Sequence, residues 1–168
     1  MTRLPKRIAI LGSTGSIGRQ ALAVVDAFGD ELEVVGLAAG RNAAALADQA
    51  ARYRPRVVAL AEGDPGTGRF PPGTAVLTGP DSLRRLAAWP DVDLVLVAVS
   101  GLAGLAPVLA ALGRGIDVAL ANKESLVAAG ALVTGAAARG GGRLLPVDSE
   151  HSALWQCLDG RSPQEVRT

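Results

Sequence analysis

Short apolar runs alternate along this chain with stretches whose apolar residues recur at helical spacing, and the alternation persists to about residue 147. The runs Arg7 to Leu11, Leu32 to Ala38, Val57 to Ala61, Leu94 to Ala98, Asp117 to Leu120 and Arg143 to Val147 read as strands. Between them Ser16 to Phe28, Asn42 to Tyr53, Ser82 to Ala88, Gly104 to Arg114 and Lys123 to Arg139 read as helices. Strand and helix in regular alternation predict an α/β fold, with a mainly parallel sheet and helices on both of its faces. Glu62 to Gly73, with Pro65, Pro71 and Pro72, reads as a surface loop, and Gly135 to Gly142 as a helix running into a glycine turn. No internal repeat is evident, and beyond Leu158 the pattern dissolves.

One segment imitates a membrane span, because Leu94 to Gly113 is twenty residues without a charge. Its interior argues against insertion: a β-type run ends at a glycine-rich break over Ser100 to Gly104, and Pro107 stands where a helix begins. A buried parallel strand and its packing helix account for the same residues. The basic start is followed by an apolar run, Ile8 to Leu11, too short for an export signal. With a lone cysteine, Cys157, unable to form an internal disulfide, a cytoplasmic protein without a membrane segment is expected.

Composition narrows the class further. Of 168 residues 49% are hydrophobic but only 3% aromatic, so the core must be aliphatic. The net charge is +1 and the arginines fall in short clusters, Arg52, Arg54 and Arg56 and then Arg84 and Arg85. Without a basic stripe or grouped aromatic platforms, a nucleic-acid partner is not expected.

Candidate chemistry begins at Gly12-Ser13-Thr14-Gly15-Ser16-Ile17-Gly18, directly after the first strand and opening the first helix. Glycine permits the tight turn and close backbone approach, while free N–H groups at a helix start attract phosphate. The alternative is a flexible turn with serine capping. In this position the loop points to a Rossmann-like, doubly wound dinucleotide fold. An acidic residue roughly 20 positions beyond such a loop binds the ribose of NAD, but the stretch Leu37 to Asn42 has no carboxylate. Arg41 can pair with the 2′-phosphate of NADP instead, with Asn42 assisting or capping the next helix.

Two more motifs lie at the carboxyl ends of later strands. Asn122-Lys123-Glu124 reads either as a helix start, with Asn122 as its cap, or as part of a ligand crevice in which Lys123 holds an anionic substrate. In Asp148-Ser149-Glu150-His151, two hard carboxylate ligands spaced i and i+2 suit Mg²⁺ or Mn²⁺. The competing account makes Asp148 or Ser149 a helix cap. His151 is the sole histidine, either a surface residue or an acid–base group near the metal.

Taken in order and spacing, Ile10 to Gly18, Ala39 to Asn42, Ala121 to Val127 and Leu145 to Ala153 closely resemble the 1-deoxy-D-xylulose 5-phosphate reductoisomerase family. The resemblance implies a cytoplasmic, homodimeric enzyme of isoprenoid precursor synthesis. It would rearrange the phosphosugar 1-deoxy-D-xylulose 5-phosphate and reduce the product with NADPH. It further implies NADPH contacts at Thr14, Gly15, Ser16, Ile17, Gly40, Arg41, Asn42, Asn122 and Glu124, and substrate contacts at Lys123, Ser149 and Glu150. Asp148 and Glu150 fall on two of three carboxylate ligands of Mg²⁺ or Mn²⁺, a Lewis acid that stabilises the enolate of the rearrangement. Lys123, Glu150 and His151 are the catalytic candidates.

Two departures from the family accompany these likenesses. Arginine stands at position 41 where lysine is common, which keeps the charge and adds a bidentate fork. Family members are also more than twice this length, and the remainder carries the third carboxylate, the substrate-phosphate site, the lid and a helical domain. The expected organisation is therefore an NADPH-binding domain over 1–147 and a truncated start of the catalytic domain over 148–168. That second segment is expected to lack order without its company, and the chain to be inactive alone. Rival readings are a dehydrogenase of the aspartate-semialdehyde type, for which Cys157 would have to serve as the thiol, and a stand-alone NADP-binding or regulatory module.

Overall fold

The computed structural model describes residues 4–161. Its strands are β1 (Lys6–Leu11), β2 (Leu32–Ala39), β3 (Val57–Leu60), β4 (Ala75–Thr78), β5 (Leu94–Val97), β6 (Asp117–Leu120) and β7 (Leu144–Pro146). They form one sheet in the order β4-β3-β2-β1-β5-β6-β7, and every neighbouring pair is parallel. The chain winds outward from β1 to one edge, returns to the centre at β5, and winds to the other edge. The reversal between β1 and β5 is the topological switch point, and the crevice at the carboxyl ends of those strands is where such sheets bind ligands.

Alternate strand residues face opposite layers. On one side Ile8, Ile10, Leu37, Val58 and Leu60 pack beneath helices α1 (Ser16–Ala27) and α2 (Ala43–Tyr53) through Leu22, Val25, Leu46 and Ala50. On the other side Leu11, Val35, Val57, Val95 and Val97 meet Leu83, Leu86, Val108, Leu112 and Val133. Those side chains belong to α3 (Ser82–Ala87), α4 (Leu105–Leu112) and α5 (Lys123–Gly140). The central strands are buried on both faces, which is why they read as continuous apolar runs. Leu94 to Gly113 resolves into β5, a 3₁₀ turn over Gly101–Gly104, and α4. Among the described residues no helix is long and apolar enough to cross a membrane.

The amino ends of the strands are stapled by charge. Asp117 accepts from Lys6 Nζ at 3.1 Å, Arg143 Nη2 at 2.6 Å and the Arg143 backbone N–H at 2.9 Å, tying β1, β6 and the start of β7. Arg7 donates to Asp93 and Asp91, and Arg56 links Asp91 with Glu33. The arginine 143 guanidinium is the main reason the Asp117 carboxyl titrates well below the usual carboxylate range.

Three expectations need correction. β4 has no counterpart among the strands the sequence predicts; it is an edge strand in which Leu77 alone is buried, so it lacks the two-sided apolar signature. β7 is shorter than Arg143 to Val147, ending at Pro146, which cannot donate to a ladder. Order also continues past residue 147: α6 (Ser149–Leu158) forms with Asp148 as its N-cap residue and Glu150 in its first turn. An acid there complements the partial positive charge of the helix start. Yet no residue of α6 is buried. The part of the 148–168 segment beyond residue 161 lies outside the described residues, as do 1–3 of the N-terminal unit.

Candidate functional site

Gly12 follows β1 with φ +85°, and a Cβ placed there would lie 2.5 Å from the Ala98 carbonyl oxygen at the end of β5. Only glycine satisfies both the left-handed backbone and the close approach of the two central strands. The chain then turns so that Gly18, in the first turn of α1, packs directly on the Gly12 carbonyl and the Ser13 backbone. The Gly12 and Ser13 N–H groups both donate to the Ala38 carbonyl, at 2.9 and 2.8 Å, and are consumed by β2. Gly15 is the N-cap of α1 and offers no side-chain cap. Thr14 is half-buried and Gly15, Ser16 and Ile17 are exposed, so the first-turn N–H groups of α1 stand open at the switch point. This is the arrangement that takes a phosphate. Arg19 Nη1, which donates to the Thr14 carbonyl at 2.6 Å, adds a positive charge beside it.

A second layer holds the loop in place, and motif reading missed it. Ser13 is fully buried, with its hydroxyl 2.7 Å from Gln49 Oε1 and 3.2 Å from the Ala38 carbonyl. In return Gln49 Nε2 donates to the Ser13 carbonyl at 2.9 Å. Gln49 projects from α2, the helix that opens with the Arg41-Asn42 motif, so the phosphate loop and that motif are mechanically joined. The available signal was a polar residue beside the buried stripe Ala43, Leu46 and Ala50.

At the end of β2, Gly40, Arg41 and Asn42 are exposed. Asn42 caps α2, its Oδ1 accepting from the Ala45 N–H at 3.0 Å, so the capping role is observed. The Arg41 guanidinium remains 80% exposed and pairs with Glu62, Nε and Nη2 both reaching Oε2 at 2.6 and 2.5 Å. In the sequence Glu62 reads only as the start of a surface loop.

Asn122 is 2% exposed and fully engaged. Its Nδ2 lies within hydrogen-bond reach of the Val99 and Gly101 carbonyls, at 2.9 and 2.8 Å, and of Glu124 Oε2 at 3.1 Å. Its Oδ1 accepts from the Ser125 backbone N–H at 3.1 Å and from the Ser125 hydroxyl. The Asn122 side chain thus clamps the turn after β5 to the start of α5. Nothing polar is left over on it for a ligand, and contact there falls to the backbone or to Glu124, which is exposed.

Lys123, Asp148, Ser149, Glu150 and His151 converge at the carboxyl ends of β6 and β7. Lys123 Nζ lies 3.2 Å from Asp148 Oδ2 and 3.9 Å from Glu150 Oε2, and His151 Nδ1 lies 3.7 Å from Asp148 Oδ1. Ser149 Oγ donates to Glu150 Oε2 at 2.8 Å. Burial pushes the Asp148 carboxyl up, but the polar groups around it, the Lys123 ammonium at 3.2 Å among them, outweigh it and hold the group below its ordinary value. Hydrogen bonding to Asp148, reinforced by the charges of Asp148 and Glu150, raises Lys123. Asp148 Oδ1 is buried with no hydrogen-bond partner. A carboxylate oxygen in that condition is costly unless a cation satisfies it, which fits a metal ligand. Among the described residues, no cluster of three or more metal-ligating side chains is assembled.

The sequence profile of 1-deoxy-D-xylulose 5-phosphate reductoisomerase matches residues 8–130. A 1-deoxy-D-xylulose 5-phosphate reductoisomerase of Anaeromyxobacter dehalogenans is 54% identical over 167 residues, covering 96% of this chain and 42% of the relative. Among solved structures, the reductoisomerase of Zymomonas mobilis in complex with NADPH superposes with a TM-score of 0.85 at 39% identity, over 91% of this chain and 41% of the other. A reductoisomerase in complex with NADPH, fosmidomycin and magnesium gives a TM-score of 0.82 at 34% identity, over 90% and 38%. The chain therefore spans about two fifths of the length of the relatives it matches.

Proposed function

Since this chain belongs to the 1-deoxy-D-xylulose 5-phosphate reductoisomerase family, we propose that it supplies the NADPH site and the first metal-binding motif of such an enzyme. The full reaction rearranges 1-deoxy-D-xylulose 5-phosphate and reduces the product to 2-C-methyl-D-erythritol 4-phosphate. The observation that carries the reading is the open first turn of α1 at the β1/β5 switch point, braced by Gly12, Gly18 and Gln49. The N–H groups of Thr14, Ser16 and Ile17 would take the pyrophosphate of NADPH, that of Gly15 being held by the Gly12 carbonyl at 3.0 Å, and Arg41 would take the 2′-phosphate. Asn122 and Ser125 fix the wall of the crevice, with Glu124 at its rim.

At the far end of the same strand edge, Asp148 and Glu150 would hold Mg²⁺ or Mn²⁺, the orphaned Oδ1 of Asp148 supporting that role. When bound, the metal acts as a Lewis acid on substrate oxygens. Lys123 and Ser149 orient the substrate, and Lys123 neutralises the two carboxylates before a cation arrives. His151, beside Asp148, is placed to move a proton or to steady that carboxylate. Two side-chain ligands do not complete an octahedral shell, and the family resemblance implies a third carboxylate beyond the matched segment. We assign residues 1–147 to the cofactor domain and 148–168 to the start of the catalytic one. This division is supported by the exposure of Leu154, Trp155 and Leu158 on α6.

Calorimetric titration tests the cofactor assignment: NADPH is expected to bind, and more tightly than NADH. No binding, or a preference for NADH, would overturn it. With 1-deoxy-D-xylulose 5-phosphate and Mn²⁺ added, this chain alone is expected to leave NADPH unoxidised, and measurable turnover would refute the assignment of an essential ligand to the missing part.

A further inference from the structure

The end of β2 carries no carboxylate where a ribose-binding one would stand, but the fold brings one beside it from the end of β3. The β2–β3 pairing runs on past both strands, with the Ala61 N–H donating to the Ala39 carbonyl at 3.1 Å and the Glu62 N–H to the Gly40 carbonyl at 2.9 Å. Glu62 is thereby seated beside Gly40 and Arg41 by the ladder itself, at the first position of the glycine- and proline-rich loop. Its carboxylate takes both donors on one edge of the Arg41 guanidinium, Nε and Nη2. That edge presents the parallel pair of N–H groups that a phosphate would engage. A carboxylate there acts oppositely on the two nicotinamide cofactors. It can accept a hydrogen bond from the 2′-hydroxyl of NADH, whereas a 2′-phosphate must displace it from Arg41 and then endure its repulsion.

We propose that Glu62 is a specificity-determining residue of the cofactor site, competing with the 2′-phosphate for Arg41 and so moderating the preference for NADPH over NADH. The inference rests on the assignment of Arg41 to the 2′-phosphate. An exposed pair of this kind is worth up to about 1 kcal/mol, which limits its effect to about five-fold in affinity.

The test is titration of the whole chain and its Glu62→Gln, Arg41→Gln and double variants with NADPH and NADH at two salt concentrations, with melting temperatures as a folding control. Glu62→Gln is expected to tighten NADPH about three- to five-fold at low salt and to weaken NADH, with the gain for NADPH shrinking at high salt and in the Arg41→Gln background. Arg41→Gln alone is expected to weaken NADPH about ten-fold or more and to spare NADH. Equal change in both cofactors on Glu62→Gln, or no change, overturns the proposal while leaving the Arg41 assignment intact. If Arg41→Gln leaves NADPH binding unchanged, the underlying assignment falls, and this inference with it.

Discussion

Replacing Gln49 by methionine keeps the length of the side chain but removes both of its hydrogen bonds to Ser13. The Ser13 hydroxyl can turn wholly to the Ala38 carbonyl, already 3.2 Å away, so its loss is modest. The Ser13 carbonyl has no such fallback, because its partner is Gln49 Nε2 at 2.9 Å within a residue that is fully buried. A net hydrogen bond contributes about 1 kcal/mol and an orphaned buried acceptor costs about 1–3 kcal/mol, so Gln49→Met should destabilise by about 2 kcal/mol. For a chain of this size that is a fall of roughly 4–8 °C in melting temperature. The functional consequence is separable from the loss of stability. The Ser13 carbonyl and the Thr14 N–H belong to one peptide plane, so loosening one misaims the other. Affinity for NADPH and NADH should fall together, since the phosphate loop serves the pyrophosphate they share, and the ratio between them should hold. Ser13→Ala, which keeps the bond from Gln49 Nε2, should be milder, and the double variant clearly non-additive. Calorimetry at a temperature where all variants are folded reads both effects. Wild-type affinity in Gln49→Met would refute the idea that this helix aims the loop, and an altered NADPH-to-NADH ratio would place Gln49 at the ribose instead.

Three further perturbations follow from the same geometry. Asp117→Asn removes the charge shared by Lys6 and Arg143 and should cost about 2 kcal/mol at neutral pH, read as a fall of roughly 4–8 °C in melting temperature. Because the folded-state value of Asp117 is depressed, its contribution is complete above the unfolded carboxylate pKa of about 4 and is lost as the pH falls below it. The gap between the two proteins should therefore close in acid, and a gap that widened there would refute the assignment. Gly12→Ala forces a side chain into a left-handed backbone against the Ala98 carbonyl, and should cost at least about 2 kcal/mol while abolishing detectable NADPH binding. Asp148→Asn should eliminate the Mn²⁺-dependent relaxation enhancement of water protons in solutions of this chain, whereas Ser152→Ala, one turn on, should leave it unchanged.

Strands were legible where both faces are buried, as in β3, β5 and the Ile8 to Leu11 part of β1, because no polar residue interrupts them. β4 was illegible for the opposite reason: its neighbours at the sheet edge leave Val76 42% exposed, and the proline-rich approach resembles a loop that simply continues. Among site residues, the glycine loop was readable because its requirements are backbone requirements, stated by residue type and spacing alone. Gln49 and Glu62 were not, since each acts across a strand or helix boundary on a residue at least twenty positions away.

The Asn122 and Asp148 motifs show a different limit. In both, one set of residues serves as a helix cap and as a candidate ligand site, so sequence cannot rank the two roles. Geometry separates them by asking which polar atoms have partners. Every polar atom of the Asn122 side chain is spoken for within the fold, which makes it a clamp. Asp148 sits at a helix start yet makes no side-chain capping bond, and one of its oxygens is buried without a donor. A buried carboxylate oxygen without a hydrogen-bond donor is costly in the fold, and for the proposed metal role that orphaned oxygen is a stronger argument than the i, i+2 spacing.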